Sequence, residues 1–247
     1  TAPITRGEVT SIDKDSVLSM PGVLAVLDDE RLTTRAAQGT ANEAPQQDPA
    51  TVCYWGQPIA IVVAETFEQA RDAAKHLKVE YRVHEGAPLD PHQVAPEEQE
   101  DETVNQGDLD AAMARAAHTV DVEIATEGHA SAAMEPHAAI AEWRDDKLTV
   151  HASLQMPNYN IAELADSLGI EESDIRLVSR YVGGGFGSKL GVSEETVAAA
   201  IAARELGRPV RVVMSRQQVF QCIMRRSETT QKLLGNCIVS LARYPDQ

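Results

Sequence analysis

Apolar residues recur along this chain with two periods, and the switch between them divides it into short segments. Pro58-Ile59-Ala60-Ile61-Val62-Val63-Ala64 is a continuous apolar run of strand length, the pattern of a strand covered on both faces. Thr66 then opens a helix. Gln69 follows at the spacing of a capping box, and Ala70, Ala73, Ala74 and Leu77 form the inner stripe. Val79 to Val83 alternates and returns as a strand, so this segment reads as a βαβ unit with a right-handed crossover. Upstream, Gly7 to Ile12 suits a strand, Ser16 to Met20 a helical turn stopped by Pro21-Gly22, and Val23 to Leu27 another strand.

From Pro88 to Asp108 the chain is rich in proline and acidic residues and poor in apolar ones, which is linker composition. Beyond it, Asp108 to Ala117 predicts an Ala-rich helix, and Thr119 to Ala125 alternates strictly, as a half-exposed strand does. Ala138 to Trp143 and Leu148 to Ser153 predict a hairpin turning through Arg144-Asp145-Asp146-Lys147. Asn160 to Leu168 is helical and ends at Gly169. Ile175 to Val182 suits a strand, and a glycine-rich run follows it directly. Ser193 is placed to cap the next helix, with Glu194 and Glu195 in its first turn, where negative charge suits the macrodipole. That helix reaches Leu206, stops at Gly207, and Pro209 to Met214 gives a final strand. No internal repeat is apparent.

Composition narrows the function classes. With 247 residues and 43% hydrophobic content, the chain is long enough for one large or two ordinary buried cores. A formal charge of -16 argues against binding a phosphate backbone, and neither a spanning nor a basic amphipathic membrane segment is visible. Cys53, Cys222 and Cys237 lie far apart with no C-x-x-C pair, so an iron-sulfur or structural zinc site within this chain is not expected. Their odd number fits a reducing compartment. No signal peptide is visible, although Thr1 as a first residue suggests an upstream piece.

The run Gly183-Gly184-Gly185-Phe186-Gly187-Ser188-Lys189, between a strand and a helix, is the strongest chemical signal. Its glycines permit positive φ and expose backbone N–H groups to an anionic or oxo-bearing ligand. A tight βα turn that needs glycine for geometry alone would look the same. Two phosphate motifs fail here. A P-loop needs Gly before Lys and Ser or Thr after it, whereas Ser188 precedes Lys189 and Leu190 follows. A dinucleotide fingerprint fails because Gly185-x-Gly187 is followed by Leu190 where glycine is required. His129, Met134, Glu135, Pro136 and His137 form a second cluster. Pro136 breaks the helix that an H-E-x-x-H metal site requires, so polar groups satisfied near a ligand pocket are the better account. Gln155, at a strand end, could orient a polar ligand or simply be solvated. Without a G-x-S-x-G nucleophile elbow, covalent hydrolysis is unsupported.

Taken in order and spacing, these segments resemble the molybdenum hydroxylases of the xanthine dehydrogenase and aldehyde oxidase family. Pro21-Gly22-Val23, Tyr54-Trp55-Gly56-Gln57-Pro58 and the segment after them look like its a/b hammerhead domain. Gly128-His129, Met134-Glu135-Pro136-His137, Ser153-Leu154-Gln155, Gly183 to Lys189 and Gly207-Arg208-Pro209-Val210 look like the start of its molybdopterin-binding domain. The resemblance implies an α+β fold with a hammerhead domain over 1–90, a linker over 91–107, the first part of the α/β molybdopterin-binding domain over 108–235, and a tail outside the family pattern over 236–247.

The resemblance also implies roles. Gln155 matches a glutamine that hydrogen-bonds the apical oxo ligand of molybdenum, and Gly184, Gly185, Phe186 and Gly187 match the loop beside the metal centre. The implied cofactor is molybdopterin, in its cytosine dinucleotide form. The implied reaction is hydroxylation of an aldehyde or heteroaromatic carbon with oxygen from water, with [2Fe-2S] and FAD on the separate iron-sulfur and FAD subunits of a heterotrimer. Leu190 stands where purine-oxidising relatives carry a substrate-binding glutamate, which points to an aldehyde. The implied setting is cytoplasmic, or periplasmic if the chain is exported with a partner subunit. The family's catalytic glutamate belongs to a region beyond Gly235 that this sequence does not continue. The expectation is therefore a frameshifted or interrupted large subunit that is inactive alone. Two other readings are a non-catalytic module kept for subunit assembly and one half of a split enzyme.

Overall fold

The computed structural model of the chain describes residues 1–32, 50–86, 104 and 106–237, with Asn236 and Cys237 described by their backbone. Its elements in chain order are β1 (Gly7–Asp13), α1 (Asp15–Leu18), β2 (Val23–Leu27), β3 (Thr51–Val52), β4 (Ile61–Ala64), α2 (Phe67–His76), β5 (Lys78–Val83), α3 (Leu109–Ala114), β6 (His118–Thr126) and β7 (His129–Ala130). Then follow β8 (Ala138–Arg144), β9 (Lys147–Ala152), α4 (Pro157–Leu168), β10 (Ile175–Val178), α5 (Glu194–Leu206), β11 (Val210–Val213), α6 (Arg216–Cys222), β12 (Arg225–Arg226) and β13 (Thr229–Cys237). This is the α+β mixture that the resemblance implies. Two compact units result, one drawn from residues 1–87 and 130–224, the other from 88–129 and 225–247. The linker assigned to 91–107 lies outside the described residues except at 104, 106 and 107, as does the tail beyond 237.

Local chemistry sets many of the element ends. At α2, Thr66 Oγ1 accepts from the Gln69 N–H and Gln69 Oε1 accepts from the Thr66 N–H, closing the expected capping box. Ser215 and Gln218 repeat the device at α6. Asp145 and Asp146 take φ of 49° and 60°, the geometry of a two-residue hairpin turn, and join β8 to β9. Gly169 and Gly207 end α4 and α5 in the left-handed region.

Tertiary structure departs from the local reading in three places. β4 pairs antiparallel with β2, while β5 pairs antiparallel with β1 in a different sheet. The expected βαβ unit therefore does not form, because apolar periodicity marks a strand without naming its neighbour. β10 stops at Val178, short of Val182, since Ser179 Oγ accepts from the Leu154 N–H and donates to the Leu154 carbonyl. A side chain there replaces the next ladder bonds. Ser193 occupies the N-cap of α5 without a side-chain cap bond, and the glutamates of the first turn are buried, at 4% and 3% exposure.

In the first unit β3, β1 and β5 form one antiparallel sheet, and β10, β9, β8 and β11 form a mixed one. Helix α5 lies on the mixed sheet through a run of small residues, with Ala199, Ala200, Ala202 and Ala203 fully buried. Small side chains allow the helix backbone to approach the strands, and Trp143 Nε1 of β8 donates to the Ala200 carbonyl at 2.9 Å. The same core takes in Leu32 and Val63 from the N-terminal segment. Polar contacts accompany it: Arg208 grips Glu65 through two bonds of 3.1 Å, and Tyr54 donates to Glu194.

In the second unit β6 and β13 form an antiparallel ribbon whose register runs from His118 opposite Cys237 to Thr126 opposite Thr229. Alternation places Val120, Val122 and Ile124 on one face, with Leu233 opposite Val122, and all four are exposed. Asp108 caps α3 by accepting from the Ala111 N–H.

Candidate cofactor-loop site

The glycine-rich loop runs from the end of β10 toward α5, and its glycines serve two physical needs. Gly184 and Gly187 hold φ of 95° and 92°, where a side chain would be strained. At Gly183 a Cβ would sit 2.5 Å from the Glu135 Cβ, and at Gly185 it would sit 2.2 Å from Gln155 Oε1. Phe186 between them adopts φ 54°, uncommon for a residue with a bulky side chain, and the residue is 69% exposed. Its carbonyl accepts from Ser131 Oγ at 3.3 Å.

Gln155, just past β9, is pinned to this loop at both its backbone and its side chain. Its N–H donates to the Lys189 carbonyl at 2.7 Å, and its Oε1 accepts from the Gly187 N–H at 3.1 Å and the Lys189 N–H at 3.3 Å. Two backbone donors thus assign the amide oxygen, and the NH₂ end, with no partner among the described residues, is left to meet an acceptor.

Glu135 and Lys189 supply the charge. Glu135 Oε2 accepts from Lys189 Nζ at 2.7 Å, Ser153 Oγ at 2.6 Å and the Gly183 N–H at 2.7 Å. Lys189 has 0% exposure, and its Nζ reaches the Glu135 carbonyl and Ser153 Oγ as well. Burial pushes the Glu135 carboxyl up. The bonds from Lys189, Ser153 and Gly183, with the lysine charge, outweigh it and hold the group down at about 2. A fully buried lysine would be costly without such a partner.

Further polar contacts fasten the loop's far end. His137 Nε2 lies 3.0 Å from the Ser188 carbonyl, which puts the ring proton on Nε2. Ser188 Oγ donates to the Gly185 carbonyl, and Asn160 Nδ2 donates to the Leu190 carbonyl at 2.7 Å. Beside this network a cleft of about 350 Å³ is lined by Glu135, Ile140, His151, Ser153, Arg180 and Arg211 among others.

The structure therefore brings together Gln155 and Gly184 to Gly187 with Glu135 and His137 from the second cluster. His129 lies in the other compact unit. Among the described residues no group of three or more His, Cys, Asp or Glu could hold a metal ion. Sequence reasoning missed Lys189 and Ser153 as partners of Glu135. A lysine ending a glycine loop in an acidic chain was the available signal, but its partner lies 54 positions away.

Comparison with known proteins matches this chain to two family models. Residues 1–85 match the aldehyde oxidase and xanthine dehydrogenase a/b hammerhead domain, and residues 90–234 match the molybdopterin cofactor-binding domain. The aldehyde oxidoreductase molybdenum-binding subunit PaoC of Escherichia coli K12 is 38% identical over 233 residues, covering 93% of this chain and 32% of that protein. The nicotine 6-hydroxylase large subunit of Paenarthrobacter nicotinovorans is 32% identical, covering 88% of this chain and 29% of that protein. The chain thus spans about a third of the length of these curated relatives. Its fold is shared with quinoline 2-oxidoreductase from Pseudomonas putida 86, at a TM-score of 0.77 and 23% identity over 94% of this chain and 32% of that one. Aldehyde oxidoreductase from Desulfovibrio gigas also has a TM-score of 0.77, at 24% identity over 92% of this chain and 27% of that one.

Proposed function

The chain belongs to the aldehyde oxidase and xanthine dehydrogenase family, and from that membership we propose that it supplies the N-terminal third of a molybdenum-binding subunit that oxidises aldehydes to carboxylic acids with oxygen from water. In this reading residues 1–90 are the hammerhead domain, 91–107 a linker, 108–235 the first portion of the molybdopterin-binding domain, and 236–247 a tail outside the family pattern.

The observation that carries the reading is the fixed amide of Gln155. With Oε1 committed to two backbone N–H groups, its Nε2 is the group that would donate to an oxo acceptor of the cofactor. Gly184, Gly185, Phe186 and Gly187 would face the same ligand. The exposed Phe186 offers an aromatic face that fits a large flat group. Molybdopterin, in its cytosine dinucleotide form, supplies two-electron oxidation when bound, and iron-sulfur and FAD subunits take the electrons away. Leu190 presents an apolar surface where a purine would need a hydrogen-bonding group, which supports an aldehyde substrate.

The test is elemental mass spectrometry of the chain purified after co-expression with its genomic neighbours, with dye reduction by an aromatic aldehyde and by hypoxanthine measured on the same preparation. Purified by itself the chain is expected to be inactive; with its neighbours, molybdenum near one per chain and turnover of the aldehyde but not of hypoxanthine are expected, a complementing polypeptide completing the subunit. Absence of metal would overturn the cofactor reading, and turnover of hypoxanthine would overturn the substrate.

A further inference from the structure

Lys189 touches both ends of the structure that presents Gln155. Its ammonium, sealed from solvent, reaches Glu135 Oε2 at 2.7 Å, the Glu135 carbonyl at 3.3 Å and Ser153 Oγ at 3.2 Å. Glu135 in turn receives the N–H of Gly183, where the loop begins. The backbone of the same lysine closes the other end: its carbonyl accepts from the Gln155 N–H and its N–H donates to Gln155 Oε1. One residue therefore joins the entry of the loop, its exit and the strand end that bears the ligand-facing amide.

We propose that Lys189 is a positioning residue that sets which way the Gln155 amide faces, acting through the ion pair of its buried ammonium with Glu135 and its backbone bonds to Gln155. Three features argue against a lysine kept for packing alone. An apolar side chain of similar volume would fill a sealed site without the desolvation cost of a charge. All three bonds from Nζ converge on Glu135 and Ser153, and Glu135 ties directly to the loop while Ser153 lies two residues before Gln155. A Cβ at Gly185 would collide with Gln155 Oε1, so the amide oxygen lies directly against the loop and any slackening of the loop changes its donors. The inference rests on the reading of this loop as the cofactor-facing surface, and its test separates the two.

Amide hydrogen exchange of the whole chain is followed by NMR in the wild type, in Lys189→Met, and in the pair Glu135→Gln/Lys189→Met. The pair leaves no unpaired charge, so it is expected to fold even where the single change does not. Exchange at Gly187, the donor to Gln155 Oε1, is expected to rise about tenfold or more in the variants, the size expected when a hydrogen bond no longer holds the closed form. The Gln155 side-chain NH₂ resonances are expected to move with it, while amides inside α5 keep wild-type rates. Unchanged exchange at Gly187 and unchanged Gln155 resonances in the pair would overturn the proposal, as would a rise shared equally by α5. Molybdenum content of co-expressed wild-type chain is measured separately. A metal-free wild type with a loosened loop in the variants sinks the cofactor reading and leaves the positioning role standing.

Discussion

The mixed sheet with α5 and the β6–β13 ribbon make opposite use of apolar residues. In α5 an alanine-rich sequence with no strong amphipathic stripe is buried along most of its length, pressed against β8, β9 and β11. In the ribbon a strictly alternating sequence, the clearer pattern of the two, leaves Val120, Val122, Ile124 and Leu233 exposed. Apolar pattern measures what a segment is able to bury. Burial itself requires a second layer close enough to exclude water, and among the described residues of its unit the ribbon meets little beyond the short helix α3.

The contrast can be broken at its strongest point, the charge inside the first unit. Glu135→Ala leaves the Lys189 ammonium buried without a carboxylate and is expected to cost about 3 kcal/mol in urea unfolding, the low end for loss of one partner of a buried pair, because Glu135 itself is partly exposed. A loss near zero would mean that water reaches Lys189. The same carboxyl gives a pH test. Its folded pKa of about 2 lies below the ordinary 4.5, so between these values the unfolded chain binds more protons. The stability it contributes is present above about pH 4.5 and is lost as pH falls toward 2. Glu135→Gln is expected to flatten that part of the stability curve, and an unchanged slope would contradict the assignment.

Leu148→Ala, at a fully buried site of β9, is expected to cost about 2–5 kcal/mol through lost transfer energy and the cavity left behind. Ser215→Ala at the α6 capping box should cost about 1 kcal/mol, read as a small fall in Tm. Val122→Thr in the ribbon should change stability by less than about 0.5 kcal/mol, because the side chain already meets water. If Val122→Thr proved as costly as Leu148→Ala, the ribbon would be covered in solution and the contrast would fail.

Much of the site was legible as a set of separate signals. The glycine run, Gln155 and the Glu135–His137 cluster each stood out, and their order along the chain carried the family resemblance. What did not show was the connection between them. Glu135 seemed a polar residue of uncertain purpose until Lys189, 54 positions on, gave it a partner. Gln155 is exposed, as a strand-end residue can be, and only the N–H groups of Gly187 and Lys189 showed which end of its amide is held. The reading of 58–83 as a βαβ unit failed for a related reason. Its helix and second strand were recognised and its first strand survives only at Ile61–Ala64, but the strand partners come from β2 and β1.

By itself the sequence determined the features closed within a few residues: the capping box at Thr66 and Gln69, the turn at Asp145-Asp146, the stops at Gly169 and Gly207, and a loop that requires glycine. These depend on φ, ψ and one or two short-range bonds, which neighbouring residue types dictate. Only the tertiary structure decided strand pairing, the burial of Glu194, Glu195 and Lys189, and the direction of the Gln155 amide. Each depends on which distant segments meet once the chain closes on its core, and a buried charge becomes tolerable only where that closure delivers its counter-charge.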